Sequence, residues 1–299
     1  MAYALLLFIP LSLALRYIFD APPSWVFLTG AAAIAVLADW LRRATEQLAE
    51  RAGSTIGGLL NISFGNTAEL ILALFVLSRA QVRIVQAQIT GSIIGTTLLF
   101  LGISVLVGGV GRVRQTFNQA SAGLLSTLLF LVVVAILLPA VFDLSERVAA
   151  PGMNTSLIDE RLSLGVSVVL LLLYAANLIY TLITHRDLFA GDAPSGEAEW
   201  GVARALLVMM AATAVIAIQA ELVSAALEDA SAQLGLSPLF LGAVVLAPVG
   251  TVSDLFAAVV FARQDKMDIV FTICIGSAIR PLSWWHPCWC WPRGSSASR

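Results

Sequence analysis

The chain has 299 residues, of which 59% are apolar and 12% are charged, and its formal net charge is −2. The mean hydropathy is +0.91, and the charged fraction is about half of the roughly 25% that is typical of soluble domains. These two values exclude an ordinary water-soluble fold and indicate a polytopic membrane protein. The weakly acidic balance offers no basic surface for nucleic acid, and three cysteines, Cys274, Cys288 and Cys290, predict no disulfide framework.

A helix that crosses a bilayer needs about 20 mostly apolar residues. The sequence predicts nine such helices, numbered here in chain order: 3–19, 24–42, 55–78, 86–110, 119–142, 161–183, 201–227, 238–262 and 267–283. No small-residue cleavage site follows the first stretch, which favours a retained helix over a signal peptide. Eight Lys and Arg residues fall on one side and five on the other, so we expect a cytoplasmic N-terminus. We expect the membrane to be a bacterial inner membrane.

Two parts of the chain align without a gap at a constant offset of 185 residues, 64–94 with 249–279. The matched positions include a pair of acids, Glu69 and Asp254, and a Gly-Ser pair, Gly91-Ser92 and Gly276-Ser277. Carboxylates and a Gly-Ser pair in register indicate a duplication. Because the duplicated unit holds five helices, an odd number, the second copy enters the membrane from the opposite side. The sequence therefore predicts an all-α inverted repeat of five-helix units, as in many secondary transporters.

The repeat predicts five segments along the chain. They are an extra N-terminal transmembrane helix (1–20), a first five-helix repeat (21–184), an acidic cytoplasmic linker (185–200), a partial second repeat (201–283) and an aberrant tail (284–299). The linker could be simple solvated chain. The residues after Ile279 hold four of the seven Trp and two of the three Cys, so we expect a truncated or out-of-frame end and an incomplete second unit.

Glu69 is the only charged residue between positions 56 and 77, well inside a predicted span. A carboxylate in a bilayer is costly, which makes it a candidate functional residue. Asn66 shares its helical face, and Gly65 allows a close backbone approach or a helix break. In predicted helix 8, Pro248 and Gly250 predict an interrupted helix, and Thr251 with Asp254 repeats the i, i+3 arrangement of Asn66 with Glu69.

Further oxygen-bearing side chains lie in the helices that follow: Gln88 and Ser92 on one face of predicted helix 4, and Ser277 in predicted helix 9. Carboxylate, amide and hydroxyl oxygens suit a hard cation such as Ca²⁺, which takes about six to eight oxygen ligands. No His or Cys cluster lies within the spans, which disfavours zinc or copper. Two poorly hydrated acids favour protonation, whereas a cation favours their charged forms, so protons and cation compete, as antiport requires.

Several of these residues also have structural interpretations. Glu69 alone could be a hydrogen-bonding residue between helices, and Ser92 and Ser277 could be small packing residues. Glu221 lies near the end of predicted helix 7, where it could serve transport or only snorkel or cap. The repeat-matched Asp254 favours the functional interpretation of Glu69.

At these residues the sequence resembles the calcium/cation–proton antiporters, the CAX family of the cation/Ca²⁺ exchanger superfamily. The segment "GGLLNISFGNTAELILALFVLSRAQVRIVQAQITGSI" is similar to the family pattern of Gly-Asn-x-x-Glu in one helix and Gly-Ser in the next. The resemblance covers about residues 50 to 280 and implies that Glu69 and Asn66 bind the cation, with Asp254 as the second acid. Gly250-Thr251-Val252-Ser253-Asp254 departs from the family's second motif, which is again Gly-Asn-x-x-Glu.

The sequence thus predicts a secondary active transporter that exchanges Ca²⁺, or a related cation, for H⁺ across a lipid bilayer. It predicts no enzymatic activity, no cofactor besides the transported ions and no nucleic-acid partner. Two alternatives remain open, an intramembrane aspartyl-type hydrolase whose acids activate water and a non-transporting truncated product. The predicted cation ligands are Glu69, Asp254, Asn66, Thr251, Ser92 and Ser277, with auxiliary roles for Gly65, Gly250, Gln88 and Glu221.

Overall fold

The computed structural model describes residues 5–149 and 199–289, and between them positions 164–166, 168–169, 172, 175–176 and 179. The two long stretches contain eight helices: α1 (Phe8–Tyr17), α2 (Pro23–Phe64), α3 (Thr67–Ser78), α4 (Val82–Gly109), α5 (Gln119–Ala149), α6 (Val202–Leu234), α7 (Pro238–Arg263) and α8 (Met267–Trp289). Helix α4 contains a π-helical turn at Gly95–Phe100, and α7 contains another at Leu241–Leu246. Most of predicted helix 6 and most of the acidic linker lie outside the described residues.

Four helices in the described part are long and apolar enough to cross a membrane, α2 over Pro23–Arg51 together with α4, α6 and α7. Their outer faces carry large apolar side chains: Leu98 of α4 is 70% exposed and Leu207 of α6 is 68% exposed. Lipid tails accept such surfaces, whereas water does not. The predicted all-α, polytopic membrane fold is confirmed.

Helix α2 corrects a predicted boundary. The sequence predicts two helices separated near Gly53, but α2 continues to Phe64. Ion pairs spaced along one face support the polar stretch as a helix. These pairs are Arg43 with Asp39 at 2.8 Å, and Arg42 with Asp39 and Glu46. The chain breaks instead at Gly65-Asn66, where the sequence analysis allowed a break.

Helix α7 corrects a second prediction, because Pro248 and Gly250 lie inside one continuous helix and not at an interruption. The π-helical turn directly precedes Pro248. Its wider turn accommodates a residue that has no N–H to donate, so the helix continues.

Helix ends also differ from the predicted ones. Helix α1 spans only ten residues, and α5, α6 and α8 continue past the predicted ends at 142, 227 and 283. Helix α6 stops at Gly235, whose φ of 65° forms a left-handed C-terminal cap. Gly235 is a recognisable helix-stop signal in the sequence, whereas no such signal marks the observed ends of α5 and α8.

The duplicated segments fold into two equivalent helical hairpins, α3–α4 and α7–α8. Their turns match: Ala80 and Asp265, 185 positions apart, adopt left-handed conformations with φ of 59° and 63°. The backbone hydrogen bonds match too, since the N–H of Ala80 donates to Leu77 and that of Asp265 donates to Ala262. Equal turn geometry at equal offset shows that the sequence repeat is also a structural repeat.

The two hairpins are inverted relative to each other. Helix α3 ends next to the start of α4, whereas α7 ends at the far end of α4. There the guanidinium of Arg112 donates to the carbonyls of Gly108, Ala262 and Arg263, at 2.8, 2.9 and 2.6 Å. Because α4 has 28 residues and is about 42 Å long, α3 and α7 end on opposite sides of the membrane.

Candidate cation-binding site

The two acid-bearing helices, α3 and α7, are in close contact at Gly250. A Cβ atom added to Gly250 would lie 2.8 Å from Cβ of Glu69 and 3.0 Å from its Cα. Asp254 follows one turn later on α7, about 6 Å along the helix axis, where its charge acts on Glu69. The structure therefore brings together the two acids that the repeat relates.

Glu69 is fully buried, with 0% of its surface exposed. Its Oε2 atom receives a long contact of 3.5 Å from Nδ2 of Asn66, at the break between α2 and α3. The hydroxyl of Ser92 lies near enough to interact with the carboxyl group, but not in hydrogen-bonding geometry. Oε1 of Glu69 has no hydrogen-bond partner among the described residues, so one carboxyl oxygen is available to a ligand.

In the second half of the site, the repeat mates of Glu69 and Ser92 form the hydrogen bond that the first half lacks. Oγ of Ser277 donates to Oδ2 of Asp254 at 2.5 Å. Thr251, the repeat mate of Asn66, is buried and donates its hydroxyl to the carbonyl of Ala247 in its own helix, at 3.0 Å. Thr251 can therefore offer only its hydroxyl lone pairs to a ligand.

One face of α4 supplies the remaining oxygen atoms. Gln88, Ser92 and Thr96 follow one another at intervals of one turn, and each is at most 1% exposed. Thr96 donates to the carbonyl of Ser92 at 2.8 Å. Both amide atoms of Gln88 and Oγ of Ser92 have no partner in the described part of the chain. Four of the eight buried side-chain atoms that lack a partner there belong to Glu69, Gln88 and Ser92.

A near-contact of two backbones holds this face in place. A Cβ at Gly91 would lie 2.1 Å from the carbonyl oxygen of Ala243, in the π-helical turn of α7. On the same turn, a Cβ at Gly242 would lie 2.9 Å from the carbonyl oxygen of Ile84. In the sequence Gly91 stands out only as a repeat match, and the repeat does not predict this crossing. The sequence signal for this crossing was a glycine on each helix, Gly91 on α4 and Gly242 on α7, because glycines allow two helix backbones to approach closely.

Glu221 does not join the other predicted residues. It is exposed, and α6 continues to Leu234, so the predicted position near a helix end is wrong. The reason is that α6 is longer than its apolar core, which alone set the predicted boundary.

The arrangement is suited to a hard cation. Two acids can neutralise one divalent ion, and the other available atoms are amide and hydroxyl oxygens, which Ca²⁺ accepts as ligands. No group of three or more His, Cys, Asp or Glu side chains that could hold a metal occurs among the described residues.

An all-helical membrane fold with two inverted hairpins, each bearing an acid, defines an integral membrane transporter. The sodium/calcium exchanger protein family matches residues 23–183 and 204–282, and the chain belongs to this family. The resemblance seen in the sequence motifs is thereby confirmed.

Individual relatives agree with this assignment. The chain is 38% identical to the Ca²⁺/H⁺ antiporter ChaA of Bacillus subtilis over 265 residues, covering 87% of this chain and 73% of the relative. It is 36% identical to a Ca²⁺/H⁺ antiporter of Aphanothece halophytica over 298 residues, covering 93% and 77%. The solved structure of native YfkE superposes with a TM-score of 0.78 at 32% identity, over 96% of this chain and 80% of that one. The hydrolase and non-transporting alternatives gain no support from these relatives.

Substituting Gly250 with alanine should weaken cation binding. The new methyl group would overlap Cβ and Cα of Glu69, so the carboxyl group has to move from its place beside Ser92. We expect the Ca²⁺ affinity of the purified protein to fall about tenfold or more. Gly102→Ala is the matched control, since nothing lies within 4 Å of a Cβ there. Equal losses in both variants would contradict the close contact.

Proposed function

We propose that the chain is a secondary active transporter that exchanges Ca²⁺, or a related divalent cation, for H⁺, and that it is not an enzyme. The observation that carries the proposal is a set of buried oxygen atoms on Glu69, Ser92 and Gln88 that have no hydrogen-bond partner within the described stretches of the chain, close to a repeat-related acid. Family membership supports Ca²⁺ as the cation, and the names of the relatives support exchange of Ca²⁺ for H⁺.

The chemistry follows from the charge of the site. With a divalent cation bound, Glu69 and Asp254 are both ionised and their charges are balanced. Without the cation, two adjacent carboxylates in a poorly hydrated site repel each other and lack solvation, so each favours taking up a proton. Cation and protons therefore occupy the site alternately, and the inverted repeat offers it to either membrane face in turn.

The finer assignments belong to the same proposal. Glu69, Asp254, Asn66, Thr251, Ser92 and Ser277 would be the ligands, and Gly65 and Gly250 would allow the helices to approach. The transporter would need no cofactor besides Ca²⁺ and H⁺, and it would lie in a bacterial inner membrane. Its N-terminus would be cytoplasmic, as the Lys and Arg distribution favours. The five segments predicted along the chain are part of this proposal too.

Competition between the ions gives a direct test. In proteoliposomes loaded at acidic pH, an outward proton gradient should drive uptake of radioactive Ca²⁺, and a protonophore should abolish it. The half-saturating Ca²⁺ concentration should rise as the outside pH falls, by up to about 100-fold per pH unit when both acids titrate. Uptake that is independent of pH and insensitive to the protonophore would contradict exchange of Ca²⁺ for protons.

A further inference from the structure

Gln88 combines complete burial with an amide group that has no hydrogen bond in the described part of the chain. Both Oε1 and Nε2 lack partners. A buried amide left unpaired is unfavourable, and in native proteins such a group usually has a water or ligand partner. The position of Gln88 therefore requires an explanation that packing does not provide.

The surroundings of Gln88 hold it in place. Its neighbours on α4 at positions 84, 87 and 91 pack against the π-helical turn of α7. Gly91 there lies almost in contact with the backbone of Ala243. Ser92, one turn further along α4, lies beside Glu69. The amide thus lies on the same buried face of α4 as Ser92, one turn away from it, and is shielded from lipid.

The two repeats differ at this position. The repeat mate of Gln88, 185 residues later, is the apolar Ile273. In the second repeat Asp254 already accepts a hydrogen bond from Ser277, whereas Glu69 Oε1, Ser92 Oγ and Gln88 Oε1 in the first repeat are unpartnered among the described residues. The buried oxygens that lack a partner in the described part of the chain therefore occur in the first repeat and not in the second.

We propose that Gln88 is a ligand that binds the transported cation through its amide oxygen and makes the site asymmetric. The inference rests on the proposed function and adds to its ligands a residue whose repeat mate is apolar. An amide oxygen is a neutral, hard ligand that does not titrate. Gln88 therefore increases cation affinity by the same factor at every pH and adds no proton-binding group.

The test compares Gln88→Leu with the unchanged full chain in detergent, with radioactive Ca²⁺ binding measured at acidic, neutral and alkaline pH. Leucine has a similar size and leaves no amide unpaired. We expect affinity to fall about tenfold at each pH, while thermal stability without Ca²⁺ stays equal or increases. Gln264→Leu, the same change at an exposed residue after α7, should leave affinity unchanged.

Several outcomes would overturn the inference. Unchanged affinity in Gln88→Leu shows that the amide is not a ligand. A loss that varies with pH shows that Gln88 acts through the protonation of Glu69. Should the leucine variant not fold, Gln88→Met provides the same test with an unbranched side chain. An unchanged chain that binds Ca²⁺ but shows no proton-driven uptake contradicts the proposed exchange and not the role of Gln88, whereas absence of Ca²⁺ binding overturns both.

Discussion

Replacing Glu69 with glutamine is expected to abolish proton-driven Ca²⁺ uptake while the protein still folds. Glutamine nearly matches glutamate in shape, so the contact with Gly250 is preserved. The substitution removes one of the two acids, and the position is fully buried. Losing one partner of a buried charge interaction, here the one between the carboxylate and the cation, costs about 3 kcal/mol, which corresponds to more than about 100-fold in Ca²⁺ affinity. It also removes a proton carrier. Uptake into proteoliposomes and Ca²⁺ binding by the purified protein measure the two effects separately.

The matched control is Glu228→Gln. Glu228 is an exposed acid on α6 that accepts a hydrogen bond from Nε2 of Gln81, and glutamine keeps an acceptor oxygen there. This variant should take up Ca²⁺ at the rate of the unchanged protein. Wild-type uptake by Glu69→Gln would disprove the role of Glu69 in both cation binding and proton coupling.

Replacing Gly91 with alanine should have the largest effect on stability. The added Cβ would lie 2.1 Å from the carbonyl oxygen of Ala243 and 2.6 Å from its Cα. Overpacking costs about 1–3 kcal/mol when side chains can shift, and we expect at least the upper value because backbone atoms are in the way. The thermal midpoint in detergent should fall by about 6–12 °C, and the yield of monodisperse protein should decrease.

Gly95→Ala controls for the loss of a glycine in the same helix. Gly95 lies one turn further along α4, and nothing is within 4 Å of a Cβ built there. Its variant should be as stable as the unchanged protein or slightly more stable, because alanine favours helix. A similar decrease in both variants would mean that helix α4 needs flexible glycines and not close contact with α7.

Local signals in the sequence were sufficient for the main features of this chain. The high cost of a carboxylate in a bilayer is independent of its neighbours, so Glu69 was recognisable from its apolar surroundings alone. The 185-residue offset predicted the inverted repeat and its two related acids, Glu69 and Asp254, because duplicated segments fold alike. The length of apolar stretches located α4 and α7 closely, since bilayer thickness sets that length.

Other features depend on which backbones meet, and no local pattern encodes that. The continuity of α2 through its polar stretch, the exposure of Glu221 and the π-helical turn before Pro248 became visible only in the folded chain. So did the unequal hydrogen bonding of the two acids, where Ser277 donates to Asp254 but Ser92 makes no hydrogen bond to Glu69. The sequence determined which groups enter the membrane; tertiary packing decided which of their oxygens are left for a ligand, because that depends on distances of a few tenths of an ångström between helices.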